Sequence, residues 1–520
     1  MRVSLSLLLF FVVLNMFFFC GPPKPENPSP QESNPQKTEL ELLDDLGSSI
    51  WNVRTEAILE LTTYPSQKYL PKFRKLLLED PHPNVRGTVA IALGDIKDTE
   101  STPAILDLLD PKSGVSTDIV IEAIYRMGDP RGAEPIVKYL DSEDHAIRLK
   151  VVETLALLNN QTVGRKILDM AKKSGDEEKK KTYAMSLGKL HIRESEDWLV
   201  ALATKTPPSP TLAASYLALG RIGSKKGIPL LAKALGGEFD KGRENATQAL
   251  IEIKDKTALP FLYDYLESPN REIRYYAANV MVEIPDESLV SKCTKLLEES
   301  KIKSIGVASY ILGRLKVDNA RPKIEEALQQ KANPEREVIA QALGWIRNKK
   351  SIPILISVLE EKEGEGRYGA AWALGVIGDR DGFSALEKAS GSSDFRLASM
   401  ATESLGSIHI PEVIPIMEKR ISENKNLSVF ALRAIANVPG DEASKSLEKY
   451  AKSVDPTIFT PAIENIGLRK QKQSIPFLIG ILKEKDSPKK RITNAALTNL
   501  TGKHFFSSQE WIMWFENEGK

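Results

Sequence analysis

Apolar positions recur along this chain with a period of about 31 residues. The clearest copies read Leu93-Gly94, Leu187-Gly188, Leu219-Gly220, Leu312-Gly313, Leu343-Gly344, Leu374-Gly375 and Leu405-Gly406. Weaker ones are Met127-Gly128, Leu155-Ala156, Leu250-Ile251, Met281-Val282, Ile435-Ala436 and Ile466-Gly467, with Leu61-Thr62 and Leu497-Thr498 at the two ends. We call the second residue of each pair the slot. Ala recurs five residues before it (Ala57, Ala123, Ala246, Ala277, Ala308, Ala370), and Ile often stands two after it (Ile96, Ile222, Ile346, Ile377). Offsets of minus five, minus one and plus two differ by four and three, the spacing of one helix face. A glycine inside a helix costs about 1 kcal/mol relative to Ala. Nine slots carry Gly nonetheless, so close helix packing is expected to offset that cost.

A second helix is predicted after each slot. Nine residues on stands Pro71, Pro103, Pro229, Pro260, Pro322, Pro353, Pro415 or Pro476. Early helical N–H groups lack intrahelical partners, so proline is tolerated there. Apolar runs such as Ile354 to Leu359 supply the face of this helix, and short turns such as Asp80-Pro81-His82-Pro83 lead onward. No segment alternates with period two, so no sheet is expected. A fixed period of this length means stacked supersecondary units. The predicted fold is all-α, an α-solenoid with a right-handed superhelix of about fifteen helix pairs over residues 39–502, followed by a C-terminal capping helix at 503–520.

Eight residues before the slot, Arg recurs as Arg54, Arg86, Arg148, Arg243, Arg274, Arg336 and Arg367. With it the repeat reads Val-Arg-x-x-x-Ala-x-Ala-Leu-Gly-x-Ile, then Ala-x-Pro-x-Leu-x-x-Leu-Leu. This resembles the HEAT repeat, most of all the short bacterial HEAT-like class also found in phycobilin lyases. The resemblance implies that the Gly-bearing helices line a concave face. It also implies that the Arg joins a ladder with acidic neighbours. Val120, Leu212, Ile305, Ala398 and Phe459 replace that Arg in other copies, so the ladder is expected to be broken.

The amino terminus differs. Met1-Arg2 is followed by an apolar run from Val3 to Phe19, then Cys20, then a tether at 21–38 rich in Pro, Asn, Ser and Gln. The run reads as a signal segment at 1–20, and the tether cannot bury a core. The arrangement resembles a bacterial lipoprotein precursor, which implies lipidation of Cys20. Phe19 stands where that family has a small residue, so an uncleaved anchor and an ordinary cleaved signal stay open. All three place the repeats outside the cytoplasm. The expectation is an exported protein, membrane-anchored in the cell envelope on the periplasmic side or outer surface.

Lys and Arg number 71 against 70 Asp and Glu, so no basic excess points to nucleic acid. The five histidines, His82, His145, His191, His409 and His504, form no ligand pair or His-Glu-x-x-His stretch. No phosphate loop or nucleophile elbow is visible. Cys293 shares an apolar helix stripe with Val290, Leu296 and Leu297 and reads as a buried structural thiol. No enzyme and no cofactor are expected.

Between about residues 275 and 372 the variable positions of the Gly-bearing helices turn aromatic, with Arg among them. Tyr, Trp and Arg are enriched at interface hot spots. The candidate partner-binding residues are Tyr275, Tyr310, Arg314, Trp345, Tyr368 and Trp372. The bland alternative is that they fill gaps between helices. The sequence thus points to a monomeric, membrane-tethered scaffold that binds protein partners along its concave groove without catalysis. A lyase-like or chaperone-like role and a structural spacer are the alternatives.

Overall fold

The computed structural model describes residues 37–64, 68–299, 302–505 and 507–518. The apolar leader, Cys20 and nearly all of the tether lie outside the described residues. Among the described residues there is no strand, and no helix is long and apolar enough to cross a membrane. The chain divides into two compact units, one up to Gly132 and one of Ala133–Lys520. In each, helix pairs stack as a right-handed all-α solenoid.

In the first unit the helices Trp51–Leu61, Pro83–Asp95 and Thr117–Met127 pack directly on one another. The second helix of each pair, such as Leu70–Glu79, opens on proline. A Cβ on Gly94 would lie 2.7 Å from the Ala123 carbonyl oxygen, so only glycine admits that approach. Arg54 makes a bidentate pair with Asp80 at 2.7 and 2.8 Å, and both are buried.

The second unit repeats this plan. Its slot helices, which carry Gly at the slot in most copies, include Glu177–Lys189, Pro210–Arg221, Asp240–Ile253, Arg271–Met281, Ile302–Arg314, Arg336–Ile346, Gly366–Ile377, Phe395–Gly406 and Ser428–Asn437. Each packs directly on the next. The partner of a slot glycine is the small residue two before the next slot. Added Cβ atoms on Gly188, Gly220, Gly313 and Gly406 would meet the Cα atoms of Ala218, Ala249, Ala342 and Ala434 at 2.7, 2.5, 2.6 and 2.6 Å. Gly375 faces Ser404, whose Cβ and Cα would lie 2.6 and 2.8 Å away. Gly375→Leu is therefore expected to overpack one helix pair and cost about 1–3 kcal/mol. In a nearest-neighbour stack the damage stays near that pair. Hydrogen exchange should show faster opening around residues 366–406, with distant repeats unchanged.

Two further regularities tie neighbouring repeats together. The recurrent Arg donates to the carbonyl six residues earlier, as Arg54 to Ser48, Arg148 to Ser142, Arg243 to Gly237 and Arg274 to Ser268. It thereby satisfies backbone acceptors in the preceding turn. Acidic partners join at five of the seven copies, Asp80 for Arg54, Asp240 for Arg243, Glu335 for Arg274, Glu361 for Arg336 and Asp394 for Arg367, while the repeats without this Arg interrupt the ladder. Three residues past the slot, the backbone turns left-handed at Lys97, His191, Lys254, Lys316, Arg347, His409 and Lys470. Most of these residues are basic, and a cation there complements the helix C-terminal dipole. His191 Nδ1 reaches the Arg221 carbonyl at 2.7 Å.

Cys293 is fully buried, and that burial pushes its thiol up to about 12. At the carboxyl end, Ser508–Asn517 begins with a capping box between Ser507 and Glu510. Its Trp511 is buried, edge-on to Phe505 and Trp514 at 4.7 and 5.6 Å. The helix packs against Ile475–Lys483 and Lys490–Thr501.

Candidate protein-interaction surface

Four consecutive slot helices of the second unit, from Arg271–Met281 to Gly366–Ile377, bring five of the six candidate residues together. Tyr275 meets Tyr310 edge-on at 5.5 Å, Tyr310 meets Trp345 at 5.3 Å, and Trp345 meets Trp372 at 5.5 Å. The register explains the contact. Tyr275 lies seven residues before its slot, Tyr310 three before, and Trp345 one after. Each step advances about one helical turn, so the rings form an oblique ladder across the packed helices. Edge-to-face pairs contribute roughly 0.5–1.5 kcal/mol beyond area burial. All four rings are half-buried and pack against the core.

Arg314 lies within this ladder, its guanidinium 5.6 Å from the Tyr310 ring and 5.8 Å from that of Trp345. Its Nη1 donates to the Tyr310 hydroxyl at 2.8 Å, and that hydroxyl donates to Asn279 at 2.7 Å. The Tyr275 hydroxyl donates to Glu335 at 2.9 Å. Burial raises the Tyr275 and Tyr310 phenols above their ordinary value, and the Glu335 carboxylate raises Tyr275 further. Both remain protonated donors at neutral pH.

Tyr368 does not join the ladder. Its hydroxyl donates to Asp394 at 2.8 Å, a bond that raises its phenol. Arg396 lies 4.0 Å over its ring. Arg396 in turn pairs with Glu337 at 2.8 Å and Glu365 at 3.0 Å. A charged cluster thus closes this flank of the aromatic surface.

Sequence reasoning missed Glu335. It is buried, accepts from Arg274 at 2.5 Å and stands 3.5 Å from Arg271. The carboxylate spans from one slot helix to the next but one, over Gly306. A Cβ on Gly306 would lie 1.8 Å from its Oε2, so that glycine opens the path. The signal was present as Gly306 and Glu335, 29 residues apart and adjacent in a stack of this period. Phe395 and Phe430, 6.3 Å apart, also went unremarked. Among the described residues no group of three or more His, Cys, Asp and Glu is placed to hold a metal ion.

The family model for HEAT repeats matches residues 40–124, 164–250, 228–303 and 352–429, more than half of the chain. No curated protein matches the sequence. Among solved structures, Kap95p in its study with RanGDP is 12% identical, covering 92% of this chain and 74% of its own, with a TM-score of 0.50. Importin beta is 12% identical over 92% of this chain and 74% of its own, at 0.45. Karyopherin Kap121p bound to the extreme C-terminus of the phosphatase Cdc14p is 13% identical over 90% of this chain, at 0.41. This chain spans 62% of Kap121p. These likenesses are of fold.

They correct one expectation. Kap95p, a solved chain similar in fold, is described with nuclear import complex assembly, not as an exported, membrane-anchored envelope protein. The envelope location rested on residues 1–38, whose apolar run and tether resemble a lipoprotein leader; nothing in the repeats supports it. With its matched segments in both units, the chain belongs to the HEAT-repeat family.

Proposed function

We propose that this protein is a non-catalytic scaffold that binds a partner protein on the face of its Gly-bearing helices, centred on Tyr275, Tyr310, Arg314, Trp345 and Trp372. Tyr368 borders the contact. The observation that carries this reading is the continuous ladder of half-buried rings with a guanidinium among them. Gap-filling residues would be fully covered; these stay partly exposed. Rigid aromatics present large contact area at low conformational cost, and Arg beside them is typical of hot spots. Kap95p, whose binding induces the switch loops of RanGDP to adopt the GTP-bound conformation, offers a precedent at the level of fold alone. Neither the lyase-like role nor the spacer role has an observation of its own in its favour.

The test is a hydrogen-exchange footprint. The full chain is used to capture a partner from cell extract, and the purified complex is compared with the free protein. Slowed exchange is expected in the helices between Arg271 and Ile377. Slowing confined to the second helices of each pair, or none anywhere, would sink the proposal.

A further inference from the structure

The arginines around the ladder are not equivalent. Arg271 and Arg274 meet Glu335, Arg336 meets Glu361, Arg367 meets Asp394, and Arg396 meets Glu337 and Glu365. Arg314 has no carboxylate within ion-pair distance among the described residues; its one hydrogen bond is to the Tyr310 hydroxyl. It is half-buried and held by two rings. A guanidinium offers five donors in a planar fork suited to a carboxylate. Here most of that fork is unused, partly desolvated and fixed in place.

The same register shows a second such place. One residue past five consecutive slots stand Lys189, Arg221, Glu252, Glu283 and Arg314. Lys189 and Arg221, with His191 and Arg193, line an open depression of about 710 Å³ that Glu252 borders. Lys189, Arg193 and Arg221 have no carboxylate partner among the described residues, whereas Glu283 is 4.0 Å from Lys254. The row therefore reads cationic at both ends and anionic in the middle. Helix spacings of 8–10 Å put Arg221 and Arg314 roughly 24–30 Å apart, about eight residues of extended chain.

We propose that the partner segment is an extended acidic peptide, with one carboxylate on Arg314 between Tyr310 and Trp345 and another at Lys189 and Arg221. This rests on the binding reading above and adds the chemistry of the partner. A peptide fits better than a nucleic acid strand, because evenly spaced phosphates would run over Glu252 and Glu283, while a peptide places its charges only where cations wait.

The test uses the full chain and a fluorescein-labelled twelve-residue peptide with an Asp-Glu pair at each end and a Ser-Thr-Gly centre. Twins carry Asn-Gln or Lys-Lys pairs, and a twelve-nucleotide thymidine strand is the counter-probe. By fluorescence anisotropy the acidic peptide is expected to bind at least tenfold tighter than the Asn-Gln twin and to weaken as salt rises. Arg314→Gln should lose about tenfold at an unchanged melting temperature, and Arg314→Lys should recover part of it. Equal or better binding of the Asn-Gln or Lys-Lys twin, tighter binding of the thymidine strand, or indifference to Arg314→Gln would overturn the proposal. If the acidic peptide fails while partner retention still depends on Trp345, the binding face stands and the acidic chemistry falls.

Discussion

Glu335→Ala is expected to destabilise the segment from Arg271 to Ile346 by about 3–5 kcal/mol, the usual cost of removing one member of a buried ion pair. Arg274 would keep its bond to the Ser268 carbonyl but lose its only carboxylate, while its side chain stays 6% exposed. The Tyr275 hydroxyl would lose its acceptor as well. Gly306→Ala should produce much of the same loss, because its Cβ would occupy the carboxylate's place. The double variant should fall short of the sum, since both changes break one network. Urea unfolding followed by hydrogen exchange would show this. Additive losses would mean that Glu335 does not hold the three helices together.

The helix pairs were legible because their signals are local. The slot, the apolar residues around it and the proline that opens the next helix all lie within one turn or one loop. The core of the site was legible for a related reason. Tyr310 and Trp345 stand one turn apart in register on adjacent helices, and a stack of fixed period must bring them together. Tyr368 shares a register position with Tyr275, yet it turns to Asp394 because Arg396 of the next helix covers its ring. That choice depends on side chains outside the repeat pattern. Glu335 was hard to read because its partner Arg274 lies 61 residues back, beyond the neighbouring repeat, which left Gly306 as its signal. Only the missing side chain at Gly306 lets the contact form. The leader was read from its apolar run and from a resemblance, it lies outside the described residues, and the envelope location inferred from it did not hold.

Trp345→Ala is expected to weaken partner binding by 2 kcal/mol or more, about thirtyfold, as at an interface hot spot. Trp345 touches the rings of Tyr310 and Trp372 and underlies Arg314, so its loss opens the centre of the ladder. Trp372 has a second duty. Its ring lies against the slot glycine Gly344, where a Cβ would come within 2.9 Å of its Cζ3. Trp372→Ala should therefore lower both stability and binding, while Trp345→Ala acts mainly on binding.

The central claim is that these half-buried rings are a binding surface, and melting temperature measured beside partner retention for the two tryptophan variants tests it most directly. Trp345→Ala should lose the partner with the melting transition nearly in place, and Trp372→Ala should lose it with a modest drop. A large fall in melting temperature for Trp345→Ala, with binding lost only as the protein unfolds, would return these residues to the core and contradict the account.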